Sequence, residues 1–196
     1  MAYHFNFSLF DLKGQRKYLN QEERQPFYHI ADSQKRQDVR LFCLLLFFTG
    51  ARISEIINLD KTSIDFFDKS VIIQTLKRRR KDVFRQIPLP EFLLEELGKH
   101  IEQLDYQCSE IENSIWSFST RTASRYIKSV MNKAGITGAN SSALGLRHGF
   151  AVHAVSKVPV TQVQKWLGHA HLQTTAIYLN VSGIEERELA RRLWNI

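Results

Sequence analysis

The sequence has too few cysteines and too short apolar runs for a disulfide-rich or membrane-spanning protein. Its two cysteines, Cys43 and Cys108, cannot form a disulfide framework, and the apolar run around Cys43 favours a buried thiol. The longest apolar run, residues 41–48, has the length of a core helix and not of a membrane span. The N-terminus lacks the basic-then-apolar pattern of a signal peptide. We therefore expect a reduced, cytoplasmic protein without a membrane partner.

Acidic residues are missing from a long part of the chain. Residues 113–184 contain neither aspartate nor glutamate, whereas acidic side chains are concentrated within residues 91–112. The whole chain carries 27 Lys and Arg against 20 Asp and Glu, a net charge of +7. The acid-free stretch contains Arg121, Arg125, Lys128, Lys133, Arg147, Lys157 and Lys165. Chance clustering in a basic protein is one explanation; a face that binds nucleic-acid phosphates is the one we favour.

Length and patterning indicate one mainly helical domain. With 196 residues and 43% hydrophobic residues, the chain can bury a sizeable core. Asn20 and Glu23 form a capping-box pattern for a first helix, which Pro26 is expected to limit, and Gly50 fits a helix C-cap. Further helices are predicted at 34–49, 53–59, 91–104, 119–134, 144–156, 160–168, 172–181 and 184–194. Segments 63–67, 71–75 and 83–87 predict a small three-stranded antiparallel sheet, giving an α+β fold.

Four short motifs stand in a distinctive order. They are Thr-Gly-Ala-Arg-Ile-Ser-Glu at residues 49–55, Leu-Arg-His at 146–148, Leu-Gly-His at 167–169, and Thr-Thr-Ala-Ile-Tyr at 174–178. Each motif alone is weak, because an arginine on a helix or a histidine after glycine is common. Their joint order and spacing are much less common.

With these motifs, the sequence resembles the catalytic domain of the tyrosine recombinases, the phage-type integrases. TGARISEIINLD resembles the first arginine box of that family, and LGLRHGFAVHAVSKVPVTQVQKWLGHAHLQTTAIYLNV resembles the second box continuing to the nucleophile. The resemblance covers about residues 17–194. It implies a DNA-cleaving domain over residues 19–183, preceded by an extended lead-in at 1–18. Its layout resembles that of short, single-domain members such as the fimbrial phase-variation recombinases, and a fragment of a longer protein is an equal alternative.

The resemblance also implies roles for particular residues. Tyr178 matches the nucleophile, Arg52 and Arg147 match the two catalytic arginines, and His169 matches the histidine nine positions before the tyrosine. Lys77 best matches the lysine of the hairpin, with Lys81 as its competitor. Supporting positions are Glu55, beside the first arginine, and His148, which matches a mainly structural histidine.

One position departs from the pattern of that family. A histidine, sometimes a lysine, normally stands three residues before the second arginine, where this chain has Leu144. Leucine can neither donate a hydrogen bond to phosphate nor transfer a proton. Another group could compensate, and His153, His171 and Lys133 are candidates.

The implied chemistry is strand transfer through a 3′-phosphotyrosyl bond, which conserves bond energy and needs no ATP. Two guanidinium groups suit the phosphate, and a lysine can protonate the leaving 5′-oxygen. The sequence lacks a Walker loop, an H-E-x-x-H motif and a cysteine pair, so we expect neither a cofactor nor a metal.

The expected partner is double-stranded DNA with an inverted-repeat site, bound by four copies of a protein that is monomeric when free. This predicts a nucleoid-associated location. Predicted DNA contacts are Arg78, Arg79, Arg80, Lys81, Arg121, Arg125 and Lys128. The amphipathic helix within residues 184–196 is expected to dock on its own core or on a neighbouring subunit. Two alternatives stay open: a type IB topoisomerase-like enzyme, and a DNA-binding regulator that does not cut.

Overall fold

The computed structural model describes residues 8–76, 83–107, 113–180 and 184–194. Its helices are α1 (Gln21–Asp32), α2 (Gln37–Thr49), α3 (Ile53–Ile57), α4 (Glu91–Gln107), α5 (Thr120–Lys133), α6 (Ala143–Val155), α7 (Val160–Leu167), α8 (Gln173–Ala176) and α9 (Ile184–Trp194). Its strands are β1 (Ile64–Asp65), β2 (Ser70–Gln74) and β3 (Phe84–Pro88), and 3₁₀ turns lie at Lys61–Ser63 and Ile177–Leu179. The predicted fold, mainly helical with one small antiparallel sheet, is confirmed.

Helix α1 begins at the predicted capping box. The Asn20 side chain accepts a hydrogen bond from the Glu23 amide at 2.9 Å, and the Glu23 carboxylate accepts one from the Asn20 amide at 3.0 Å. The expectation that Pro26 limits this helix is wrong, because the helix continues past it to Asp32. A proline inside a helix removes one backbone donor, and the packing of α1 against α2, α5 and α6 offsets that loss.

Helix α2 forms the centre of the core. Nine of its 13 residues are buried, and it packs against α1, α3, α4, α5 and α6. It ends at Gly50, which has a left-handed backbone with φ of 60°. A Cβ at Gly50 would lie 2.3 Å from the Phe150 ring, so glycine is needed both for the turn and for the close approach of α6. The turn directs the next residues, Ala51 and Arg52, towards the N-terminus of α3.

The sheet has the strand order β1-β2-β3, with Val71 opposite both Ile64 and Ile87. Strand β3 alternates strictly between exposed and buried positions. Its buried face carries Arg85 and Ile87, while Phe84 is more than half exposed. An arginine therefore occupies a core-facing position in this strand.

The described part of the predicted lead-in, residues 8–18, contains a turn closed by a bridge between Phe10 and Arg16. Leu9 and Tyr18 from this segment are buried against α6 residues and Tyr178 in a second apolar cluster. The predicted divisions at residues 18 and 183 stay predictions. None of the helices in the described ranges is long and apolar enough to cross a membrane.

Candidate active site

Arg147 lies on α6 and binds the ends of two other helices. Arg147 is 4% exposed, and its guanidinium donates from Nη1 to the Gly50 carbonyl at 2.7 Å and from Nη2 to the Leu167 carbonyl at 2.8 Å. These carbonyls stand at the C-termini of α2 and α7, where backbone acceptors lack helical partners. Burial, and next the nearby Arg52, lower the pKa of Arg147 to about 9, which leaves it protonated at neutral pH.

Arg52 stands at the N-terminus of α3, where Glu55 fixes it twice. One Glu55 oxygen accepts a hydrogen bond from the Arg52 backbone amide at 2.9 Å, and the other accepts one from Arg52 Nη1 at 2.8 Å. The Glu55 side chain is fully buried, whereas a quarter of the Arg52 side chain remains exposed. An anion arriving from solvent can therefore reach the Arg52 guanidinium while its carboxylate partner holds it from below.

Arg85 is the site residue that sequence reasoning missed. Its guanidinium donates to the Glu55 carboxylate at 2.6 Å, to Thr75 Oγ1 at 2.9 Å and to the Trp166 carbonyl at 2.7 Å. Burial alone would raise the pKa of Glu55, but the charges and hydrogen bonds of Arg85 and Arg52 outweigh it and lower that pKa. Arg85 thus joins the sheet, α3 and α7 around one ionised carboxylate. A charged residue on the inward face of an alternating strand was the available signal.

His169 follows α7 directly and contacts Arg147. Gly168, with φ of 67°, ends α7 in a left-handed turn, and a Cβ there would lie 3.0 Å from Thr75 Oγ1. The His169 Nε2 is 3.1 Å from Arg147 Nη2, and its Nδ1 is 2.9 Å from Thr175 Oγ1. Burial, followed by the charges of Arg147 and Arg52, lowers the pKa of His169 to about 3. The ring is therefore neutral, with Nε2 accepting from the guanidinium and Nδ1 donating to Thr175.

Tyr178 lies in the 3₁₀ turn after α8 and is 1% exposed. Its hydroxyl is 2.9 Å from Nδ1 of His148, the residue after Arg147 on α6. Its ring stacks on the His169 ring, with centroids 6.3 Å apart. Burial raises the pKa of Tyr178 to about 12, although Arg147 and Arg52 act in the opposite direction. Burial, then Arg147, lowers the pKa of His148 to about 4, so a neutral imidazole faces a protonated phenol.

The predicted residues Arg52, Glu55, Arg147, His148, His169 and Tyr178 therefore converge on one site, together with Arg85. A cavity of about 290 Å³ opens between β2, β3 and α7, lined in part by Thr75, Arg85, Lys165 and His169. The cluster combines three guanidinium groups, of which that of Arg52 belongs to the most exposed side chain, with one buried carboxylate, two neutral imidazoles and a phenol. This set can bind a phosphate and present an oxygen nucleophile to it.

The predicted hairpin residues Lys77, Arg78, Arg79, Arg80 and Lys81 lie outside the described residues. The described strand ends on either side of them belong to the site. Thr75, just after β2, donates its amide to the Val83 carbonyl at 2.8 Å, and its side chain binds Arg85.

The predicted DNA-contacting residues on α5 are on the surface. Arg121 and Arg125 are exposed, and the Lys128 ammonium donates a hydrogen bond to Ser141 Oγ at 2.9 Å. Leu144 lies in the first turn of α6 and is 56% exposed. It lines a second cavity together with Ile53 and Lys128. Within the described residues, no group of three His, Cys, Asp or Glu side chains could hold a metal ion.

Comparison with known proteins identifies the family. Tyrosine recombinase XerA of Thermococcus onnurineus is 33% identical over 172 residues, which cover 85% of this chain and 58% of that protein. A crystal structure of XerA recombinase superposes with a TM-score of 0.76 at 25% identity, over 89% of this chain and 64% of that one. The structure of XerH site-specific recombinase bound to difH substrate superposes with a TM-score of 0.72 at 22% identity, over 94% of this chain and 59% of that one. The chain thus spans about three fifths of the length of these relatives. Residues 17–183 match the model of the phage integrase family, and the chain belongs to this family of tyrosine recombinases.

Proposed function

We propose that this chain cuts and rejoins DNA at specific sites through a covalent bond between Tyr178 and a DNA 3′-phosphate. The observation that carries the proposal is the convergence of Arg52, Arg147, His169 and Tyr178 from four separate elements. Arg147 touches His169 at 3.1 Å, and the His169 ring stacks on the ring of Tyr178. Helix packing without a function does not require a buried carboxylate, Glu55, that is paired with both Arg52 and Arg85 at the same site as a buried phenol.

In this reaction the Tyr178 oxygen attacks phosphorus and the bond to the 5′-oxygen breaks. Arg52 and Arg147 bind the non-bridging oxygens, and their charges stabilise the trigonal-bipyramidal transition state. When DNA binds, Arg147 turns towards the phosphate and no longer donates a hydrogen bond to His169 Nε2. The proton of the His169 ring then lies on Nε2, which donates a hydrogen bond to a non-bridging oxygen. Lys77, or Lys81, protonates the leaving 5′-oxygen. A 5′-hydroxyl of another strand then reverses the step, so neither cofactor nor metal is needed.

The proposed partner is double-stranded DNA with an inverted-repeat site. The free protein is a monomer, and four copies assemble on the DNA. The exposed arginines of α5 and the basic segment 77–81 would contact it. XerH, similar in fold, carries its difH substrate in the structure named above. Binding to chromosomal DNA would place the protein at the nucleoid. The resemblance to fimbrial phase-variation recombinases stays a prediction, since the relatives named above are Xer proteins.

The test is to trap covalent protein–DNA adducts in the native host and to sequence the attached DNA, with Tyr178→Phe as control. We expect adducts at one short inverted-repeat site and none with the variant. Adducts scattered without sequence preference would favour a topoisomerase-like activity and overturn site specificity. Adducts that persist in the variant would overturn the role of Tyr178.

A DNA-binding regulator that does not cut is the second candidate. Leu144, in place of a hydrogen-bonding residue, and the 1% exposure of Tyr178 favour it. It predicts sequence-specific DNA binding by the wild-type chain without any adduct, and identical binding by Tyr178→Phe. The same trapping experiment, combined with a binding measurement, separates it from the recombinase.

A further inference from the structure

The chain needs a group that takes the phenolic proton of Tyr178 during attack. A phenol with its pKa raised by burial is a poor nucleophile until that proton leaves. Leu144 has no atom that can accept it. The group must instead lie within hydrogen-bond distance of the Tyr178 oxygen, because general-base catalysis requires that geometry first.

His148 meets the geometric requirement. Its Nδ1 lies 2.9 Å from the Tyr178 hydroxyl, and the two ring centroids are 5.8 Å apart. His148 is 2% exposed, so water competes little for this contact. It also follows Arg147 directly on α6, and one rigid helix therefore carries both a phosphate ligand and the neighbour of the nucleophile.

We infer that His148 is the general base of this recombinase: its Nδ1 accepts the Tyr178 proton as the tyrosine oxygen bonds to phosphorus. The O–H bond breaks, the O–P bond forms, and the proton stays on the imidazole while the 5′-oxygen leaves. In the rejoining step the imidazolium returns the proton to the released phenolate. The inference rests on the proposed function and assigns a step within it that Leu144 cannot perform.

The charges around His148 fit this role. The groups that act on it are Arg147 on its own helix, Lys17 from the N-terminal segment, and the facing Tyr178 and His169 rings. Burial and the two cations keep its pKa near 4 in the DNA-free protein, so the ring is neutral and able to accept. A phosphate bound to Arg147 offsets one of those cations, which makes the imidazole more basic when DNA is present.

The decisive experiment measures single-turnover cleavage of a nicked suicide duplex carrying the site recovered by adduct sequencing. His148→Gln should slow cleavage by about 10²-fold or more, the usual range for a lost general base. The wild-type rate should be nearly flat between about pH 6 and 8, while the variant rate rises about tenfold per pH unit as the tyrosine ionises unaided. His100→Gln, which removes another buried histidine outside the site, should match the wild type.

A substrate with sulfur in place of the leaving 5′-oxygen adds a second criterion. Sulfur leaves without being protonated. The sulfur substrate therefore restores cleavage by a variant that lacks the general acid, but not by one that lacks the general base. The His148→Gln defect should therefore persist with this substrate. A slow variant with a flat pH profile would mean a structural role and overturn the inference, as would a variant equal to or faster than the wild type.

A measurement without DNA keeps the inference separate from the proposed function. In ¹⁵N-labelled protein, Nδ1 of His148 should have the chemical shift of an unprotonated nitrogen. That chemical shift should change in Tyr178→Phe. A protonated Nδ1 overturns the inference whatever the activity. Failure of the wild-type chain to form any adduct would instead overturn the proposed function.

Discussion

Replacing Arg85 by methionine removes the cation that holds together the sheet side of the site. Arg85 is 5% exposed, and its partner Glu55 has a fully buried side chain. The substitution keeps much of the volume of the side chain. Of the two arginines that pair with Glu55, it leaves Arg52. It also removes the donors to the Trp166 carbonyl and to Thr75.

The magnitude follows from these contacts. Breaking one side of a buried ion pair costs about 3–5 kcal/mol, because the remaining charge stays desolvated. That is a large share of a typical free energy of unfolding of about 5–15 kcal/mol. We expect Arg85→Met to lower the free energy of unfolding by about 3–5 kcal/mol.

Urea unfolding of a double-mutant cycle measures this effect. Glu55→Gln combined with Arg85→Met removes the buried charge as well as its partner, so the double variant should be less destabilised than the sum of the single variants. We expect a coupling of about 1–3 kcal/mol, the range for residues that share a network. A cost below about 1 kcal/mol for Arg85→Met, or strict additivity, would mean that Arg85 and Glu55 do not form a stabilising buried ion pair.

Three further predictions concern pH, packing and DNA binding. Burial holds His148 and His169 at a pKa of about 4 and about 3, against 6.5 when unfolded, so the unfolded chain binds more protons as pH falls. Stability in urea should therefore fall below about pH 6.5 by up to about 1.4 kcal/mol per pH unit for each histidine, and a flat profile would contradict this. A Cβ at Gly145 would lie 1.9 Å from a backbone oxygen, whereas one at Gly98 makes ordinary contacts. In thermal unfolding, we expect Gly145→Ala to lower the free energy of unfolding by about 1–3 kcal/mol and Gly98→Ala to raise it by up to about 1 kcal/mol. Arg121→Ala should reduce the slope of log affinity for DNA against log salt by about 1 if it binds a phosphate, and an unchanged slope would exclude that contact.

Local signals in the sequence were sufficient for most of the fold. The capping box at Asn20 and the C-cap at Gly50 depend on neighbouring residues, and both were predicted correctly. Pro26 was misjudged because the packing of α1 against three other helices is a tertiary effect that no local rule contains.

The site was predicted through its motif residues, and what was missed depends on long-range contacts. Arg85 binds Glu55, 30 positions away, and Trp166, 81 positions away. The contact of His148 with Tyr178 likewise spans 30 positions. Residue type and spacing indicate which side chains suit phosphate chemistry, but pairings of this kind depend on how α6, α7 and β3 pack together.

The proposed mechanism is tested most directly by identifying the residue that becomes linked to DNA. Purified protein is reacted with the suicide duplex, digested with nuclease and protease, and the peptide that retains a nucleotide is sequenced by mass spectrometry. The proposed mechanism predicts a 3′-phosphate ester on the oxygen of Tyr178, absent from Arg147→Ala because the buried phosphate ligand is gone. A nucleotide on any other side chain, or an adduct formed equally well without Arg147, would contradict it.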